Sequence, residues 1–323
     1  MKNTKLAKAK TVKNDEFYTL YQDIAHEIDA YLDFNPMVFH NKTILLPCDN
    51  PYCSNFTKYF VNNFEKMGIK KLVSTSLSPT GDSGYILTMT SPKSHHIDVL
   101  QGSGDFRSDE ITLLRDQADV IITNPPFSLF SDFFKWLADS NANFIIITNK
   151  NSVTYKNVFP LIKDNKIWSG FTKWSGGMWF ETINKNDVDK VVDGVNLKNI
   201  PSIWLTNLEH TNRKKVLPLN TMAVNLDRYK KTYQNLYEPY DNYHAIEIPK
   251  TSTIPSDYHG VMGVPISFLE KYNPEQFEIL GATESEGSGL SMGLWDSKES
   301  NTKQPKIKGE RIYKRIFIGR RLD

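Results

Sequence analysis

The sequence predicts an α/β protein: a doubly wound, mostly parallel sheet of about seven strands reaching to about residue 208, followed by a less regular C-terminal region. Three observations predict it. Short apolar runs recur at Thr43–Cys48, Lys70–Ser76, Ala118–Thr123 and Phe144–Thr148, the length of strands buried on both faces. Segments with apolar residues at helical spacing separate them, and strand, helix, strand at such intervals is the βαβ unit that sets strands parallel. Beyond Asn207 the periodicity weakens, and prolines recur at Pro218, Pro239, Pro249, Pro255, Pro265 and Pro274.

Taken in order, residues 1–14 form a basic arm in which Lys2, Lys5, Lys8, Lys10 and Lys13 occur without an acid among them. Phe17, Leu20, Tyr21, Ile24, Ile28, Tyr31 and Leu32 then fall at a helical period across Asp15–Asp33. After the first strand, Ser54–Met67 reads as a helix with Phe56, Tyr59, Phe60 and Phe64 on one face, and Gly68 closes it. Tyr85–Thr90 and Ile97–Leu100 pair around a Ser-Pro-Lys-Ser turn, and Gly102–Glu110 is a loop entering a helix capped by Ser108. Ser128–Leu137 and Tyr155–Lys163 are helical, while Met178–Ile183 and Ser202–Thr206 are strands that close the sheet. Residues 15–208 form the first domain and 209–323 the second. In the second, Tyr229, Tyr233 and Tyr237 stand at helical spacing beside Arg228, Lys230 and Lys231, a stripe that reads as core before it reads as a surface for unstacked bases.

A chain of 323 residues is long enough for a sizeable core, and 12% aromatic content argues against disorder. The formal net charge of +2 argues for no polyanionic partner by itself, but its distribution does. Besides the N-terminal arm, Lys303, Lys306, Lys308, Arg311, Lys314, Arg315, Arg320 and Arg321 crowd the end, and such runs can neutralise phosphates. Two cysteines, Cys48 and Cys53, are too few for a disulfide framework and do not form a zinc-ligand spacing, so a reduced compartment and no metal are expected. With no N-terminal apolar segment and no run of about 18 apolar residues, a cytoplasmic protein with no membrane span is expected.

The run Ala118–Thr123 stops at Asn124-Pro125-Pro126-Phe127, which places this tetrapeptide at a strand's carboxyl end, the edge where open α/β sheets bind ligands. The Asn124 side chain offers a carbonyl, and because Pro126 has no N–H, the Pro125 carbonyl is left as a second acceptor. Two acceptors facing one point suit a planar exocyclic amine with two N–H bonds. Accepting both draws the nitrogen lone pair out of conjugation, while Phe127 stacks on the ring. The same residues suit a rigid turn with a capping Asn and a core Phe. NPPF resembles the [D/N/S]-P-P-[Y/F/W] signature of amino-methyltransferases, most closely those acting on adenine N6.

A methyl acceptor needs an electrophilic methyl, and S-adenosyl-L-methionine is the expected donor. Asp49, directly after the first strand, is placed to meet the cofactor's ammonium, and Asn50 and the helix behind Pro51 to present N–H groups to its carboxylate. Asp105 and Phe106 offer an acceptor for the cofactor's adenine amine and a ring to pack on the base. No F-x-G-x-G turn follows the first strand, and Thr75 and Ser76 stand where an acid usually holds the ribose hydroxyls.

With these residues in place, the chain resembles the EcoRI-type adenine-specific DNA methyltransferases. The similar stretches are DEFYT at Asp15–Thr19, CDNP at Cys48–Pro51 with SNFTKYF after it, GDFRS at Gly104–Ser108, TNPPFSLF at Thr123–Phe130, Asn149–Trp168 and Met262–Gly281. The resemblance implies a Rossmann-like sheet binding S-adenosyl-L-methionine, with a C-D-x-P turn in place of the glycine loop. It also implies that Phe17, Tyr18 and Thr19 close over the cofactor's methionine end, although Leu20 stands where relatives often have proline. Asn124, Pro125, Pro126 and Phe127 would grip the target amine, in a catalytic domain over 15–208. Residues 209–323 would be the target-recognition, DNA-binding region. The implied substrate is an adenine flipped out of double-stranded DNA, within a restriction-modification system that pairs the enzyme with an endonuclease, or in an orphan relative. The other readings are an RNA methyltransferase acting on guanine N2 or adenine N6, and a catalytically silent DNA-binding regulator of the same fold.

Overall fold

The computed structural model describes residues 17–78, 80–284, 289–296 and 302–321. The basic arm, with Asp15 and Glu16, lies outside the described residues. Along the chain, β1 (Phe17–Thr19) leads into α1 (Tyr21–Phe34), β2 (Thr43–Leu46), α2 (Asn55–Asn63) and β3 (Lys71–Ser76). A hairpin of β4 (Tyr85–Ser91) and β5 (Ser94–Val99) precedes α3 (Asp109–Asp116), β6 (Val120–Thr123), α4 (Phe130–Ala138) and β7 (Asn143–Asn149). Then come α5 (Phe159–Lys163), β8 (Trp168–Ser169), β9 (Met178–Thr182), β10 (Lys190–Val192), β11 (Val195–Ile200) and β12 (Ser202–Thr206). The remainder holds α6 (Met222–Tyr229), β13 (Ile246–Glu247), β14 (Met262–Pro265), β15 (Phe277–Ala282), β16 (Lys306–Ile307), β17 (Glu310–Arg311) and β18 (Arg315–Arg320).

The chain divides into two compact units, one of residues 1–149 and 169–210, the other of 150–168 and 211–323. The first is an α/β unit around an eight-stranded sheet ordered β5-β4-β3-β2-β6-β7-β12-β8. Its centre, β3-β2-β6-β7, is parallel, with Ile44 opposite both Leu72 and Val120, and Thr123 opposite Ile146. The flanks are antiparallel, because β4 and β5 fold back from β3 as a meander and β12 returns beside β7. The mostly parallel sheet of about seven strands is therefore corrected to a mixed one of eight.

The parallel centre follows from the sequence. Val120–Thr123 and the core of β7 are buried along their whole length, which removes the two-residue alternation of a half-exposed strand. On one face, Ile24, Ile28 and Tyr31 of α1 and Phe56, Tyr59 and Phe60 of α2 pack on Ile44, Leu46, Ile122, Ile145 and Ile147. Helix ends are set by side chains: Ser54 Oγ accepts from Phe56 N at 3.1 Å and Ser108 Oγ from Ile111 N at 3.3 Å.

Two further expectations for the first unit change. Phe17–Thr19 is not the first turn of a helix but a strand, paired antiparallel with β9 so that Phe17 faces Thr182 and Thr19 faces Phe180. Consequently Met178–Thr182 does not close the large sheet; it belongs to a second, four-stranded sheet ordered β1-β9-β11-β10.

The second unit is built on a four-stranded sheet ordered β13-β14-β18-β15. The tyrosine stripe does not continue along one helix, since α6 ends at Tyr229 and Tyr237 has a left-handed φ of 66°. Tyr237 is held instead by its hydroxyl, which donates to the Thr253 carbonyl at 2.8 Å. Among the described residues no helix is long and apolar enough to cross a membrane.

Candidate active site

The carboxyl ends of β2, β3, β6 and β7 share one edge, because those strands are parallel. At that edge Asn124, Pro125, Pro126 and Phe127 follow β6 directly, and Phe127 opens a short 3-10 turn that runs into α4. Pro125 is buried, while Asn124, Pro126 and Phe127 are half-buried. Asn124 Nδ2 donates to the Phe17 carbonyl at 2.9 Å. That bond fixes which way the amide faces: Oδ1 is left buried without a hydrogen-bond partner among the described residues. Among the described residues no backbone N–H of the turn bonds to the Pro125 carbonyl.

β1 is held by the same edge from two sides. Besides Asn124, Asn55 Nδ2 at the start of α2 donates to the Thr19 carbonyl at 2.8 Å. The Thr19 side chain is buried and its Oγ1 has no partner among the described residues. The rings of Phe17 and Phe127 each make an edge contact with the fully buried Phe180, with centroids 6.2 Å apart in both cases. Phe180 was not legible as a site residue, since nothing local in a strand 53 residues after Phe127 marks the contact.

Asp49 is only 5% exposed. Its Oδ1 accepts from Ser54 Oγ and its Oδ2 from Thr123 Oγ1, both at 2.7 Å, so one carboxylate joins the end of β2, the cap of α2 and the residue before Asn124. Burial raises its pKa from 3.8 to about 6, against the lowering effect of the Thr123 and Ser54 hydrogen bonds. Asn50 shapes the next turn by accepting from Tyr52 N at 2.9 Å, and Pro51 is buried beneath it. Ser54 and Thr123, the two hydroxyls that hold Asp49, were missed by the motif reading, which places them only at the start of a helix and the end of a strand.

The other cofactor candidates are placed differently. Thr75 is fully buried, and its hydroxyl donates to the Pro47 carbonyl at 3.0 Å, tying the ends of β2 and β3 together. Asp105 is gripped by Arg107, whose Nε and Nη2 lie 2.9 and 2.6 Å from its two oxygens. Phe106 is buried with its ring against Phe133 and Trp136, at centroid distances of 5.2 and 5.7 Å, so it supports the loop from beneath. Gly104, with φ of 81°, and Gly84 lie against the Ser76 carbonyl so closely that a Cβ at either would overlap it. Tyr18 is half-buried in β1.

A large mixed α/β sheet carrying such a turn on its carboxyl edge fits the methyltransferase class. The family model described as "Adenine-specific methyltransferase EcoRI" matches residues 5–321. The chain is 39% identical to the type II methyltransferase M.EcoRI of Escherichia coli over 302 residues, 86% of this chain and 89% of the relative. It is 34% identical to the type II methyltransferase M.MpnI of Mycoplasma pneumoniae over 323 residues, 97% of each. No solved structure matches the chain. The chain belongs to the EcoRI family of adenine-specific methyltransferases, and it is an adenine-specific DNA methyltransferase.

Proposed function

We propose that the protein methylates the N6 amine of an adenine flipped out of double-stranded DNA, with S-adenosyl-L-methionine as donor and Asn124 and the Pro125 carbonyl as the two acceptors that hold the amine. The observation that carries this reading is the buried, unpartnered Oδ1 of Asn124. Leaving such an acceptor unsatisfied costs about 1–3 kcal/mol, which a donor arriving with the substrate offsets. An N6 amine brings two N–H bonds, one for Oδ1 and one for the Pro125 carbonyl. Once both are accepted, the nitrogen lone pair projects out of the ring plane. Phe127, held edge-on by Phe180, offers the target ring a surface. Asn124 is neutral and orients the amine; it removes no proton.

The residues present fit a donor of this kind. Asp49 supplies a carboxylate for an ammonium, and Thr19 an unpartnered buried hydroxyl. Asn50 and the first N–H groups of α2, reached through the Pro51 turn, suit a carboxylate, and Asp105 suits an adenine amine. Thr75 and Phe106 act in the same pocket by fixing strand ends and packing beneath. When bound, S-adenosyl-L-methionine supplies an electrophilic sulfonium methyl. Chemistry on a base inside a duplex is sterically blocked, so the adenine leaves the stack at a cost of a few kcal/mol that protein contacts offset.

In this reading the sheet is the Rossmann-like catalytic core. Most of the second unit is the target-recognition part, and the enzyme serves a restriction-modification system beside an endonuclease. The test is Asn124→Ala, assayed for transfer of a radiolabelled methyl group to duplex DNA, RNA and protein offered together. The wild type labels DNA alone, and the variant loses labelling while its cofactor binding, weakened by loss of the Phe17 anchor, stays measurable. Near-normal turnover by the variant, or labelling of RNA in preference to DNA, contradicts the reading.

A further inference from the structure

The basic run near the C-terminus is not one uniform surface. Arg315 is spent on a buried ion pair, with Nη2 2.6 Å from Glu247 Oε1 and Nε 3.0 Å from Oε2. Lys308 pairs with Glu238 at 3.2 Å, and the guanidinium groups of Arg320 and Arg321 donate to the carbonyls of Ser256 and Phe277. Those charges hold the second unit's own framework together.

Lys314 differs. Its ammonium is half-buried and donates to Thr154 Oγ1 at 3.2 Å, a neutral hydroxyl whose proton goes to the Asn151 carbonyl at 3.0 Å. Among the described residues no carboxylate lies within ion-pair distance of it, and burial alone pulls its pKa below the usual lysine value. An ammonium has three N–H bonds, of which Thr154 takes one. Two more residues belong to the surroundings of the turn that carries Thr154. Tyr313, 54% exposed, donates its hydroxyl to Asn151 Oδ1 at 2.6 Å, and Lys150 opens the same turn, Lys150–Thr154, with Glu270 as the acid that acts on it. Withdrawing a cation from water with no anion beside it is unfavourable until an anion arrives.

We propose that Lys314, with Thr154 and Tyr313 beside it on the turn that Lys150 opens, is a phosphate-binding site in the second unit that takes a phosphodiester of the DNA duplex. This rests on the reading that duplex DNA is the substrate. A phosphate oxygen accepts the N–H bonds that Thr154 leaves, and the contact positions the duplex without reading its sequence.

The test measures duplex affinity against salt concentration for wild type, Lys314→Met and Lys314→Arg, on DNA with and without the target site. The site predicts that Lys314→Met weakens both duplexes alike and lowers the slope of log affinity against log salt by about one. Lys314→Arg keeps the wild-type slope, and cofactor affinity and melting temperature stay unchanged in both variants. An unchanged slope in Lys314→Met, or a loss confined to the target duplex, overturns the site while leaving the enzyme's reading intact. A wild type that neither binds nor methylates duplex DNA overturns the reading itself.

Discussion

The Asn124 side chain and the Phe17 main chain are joined by one hydrogen bond, Nδ2 to carbonyl oxygen at 2.9 Å, across 107 residues of sequence. The bond has two effects. It orients the amide so that its oxygen is the free end, and it anchors β1 at the sheet edge where Asp49 and Thr19 stand.

Asn124→Asp separates those effects from simple loss of a side chain. A carboxylate oxygen facing the Phe17 carbonyl sets two acceptors against each other, and leaving that contact unsatisfied costs about 1–3 kcal/mol. The variant loses methylation and also binds cofactor more weakly, because β1 loses an anchor. Calorimetric titration checks this; unchanged cofactor affinity contradicts the anchoring role.

Asp49 gives the enzyme a pH dependence. Its carboxyl is raised from 3.8 to about 6 in the folded chain, so it favours the folded state below its unfolded value, and that contribution is lost as pH rises through about 6. A rise of that size corresponds to about 3 kcal/mol. The wild type therefore loses stability between roughly pH 4 and 6 relative to Asp49→Asn. Affinity for a cationic amino-acid donor moves the other way, rising through about pH 6 as the carboxylate forms. Binding curves against pH check both; a wild-type profile as flat as that of Asp49→Asn contradicts the assignment.

Thr123→Val removes one of the two hydroxyls that stabilise the charged Asp49. The inflection in cofactor binding then moves to higher pH, while the fold persists, because valine matches threonine in shape within a strand. An inflection that stays in place would show that Thr123 does not act through Asp49.

Glu27 is fully buried and accepts from Tyr31 Oη, Phe171 N, Thr172 N and Thr172 Oγ1 at 2.6–2.9 Å. It pins α1 to the loop after β8, where a Cβ on Gly170 would overlap it. Glu27→Gln turns one acceptor into a donor facing donors and costs about 3 kcal/mol of stability. Urea unfolding measures this; an unchanged midpoint contradicts it.

The parallel strands and the turn after β6 were legible because buried runs and proline pairs are local signals. β1 was not, because Phe17–Thr19 shares the helical spacing of α1 and becomes a strand only by pairing with residues 178–182. Phe106 illustrates the same limit within the site. An aromatic after an acid reads as a stacking ring, and only the approach of Phe133 and Trp136 makes it part of the core. Asp49 was visible as a strand-end acid, but its hydroxyl partners come from a cap five residues on and a strand 74 residues away.

The most direct measurement of the central claim is a structure of the enzyme with a duplex carrying its target and an unreactive analogue of the methyl donor. The expected result is an extruded adenine whose N6 lies within hydrogen-bond distance of both Asn124 Oδ1 and the Pro125 carbonyl. An adenine left in the stack, or an N6 held by other groups while Asn124 Oδ1 stays unpartnered, would contradict it.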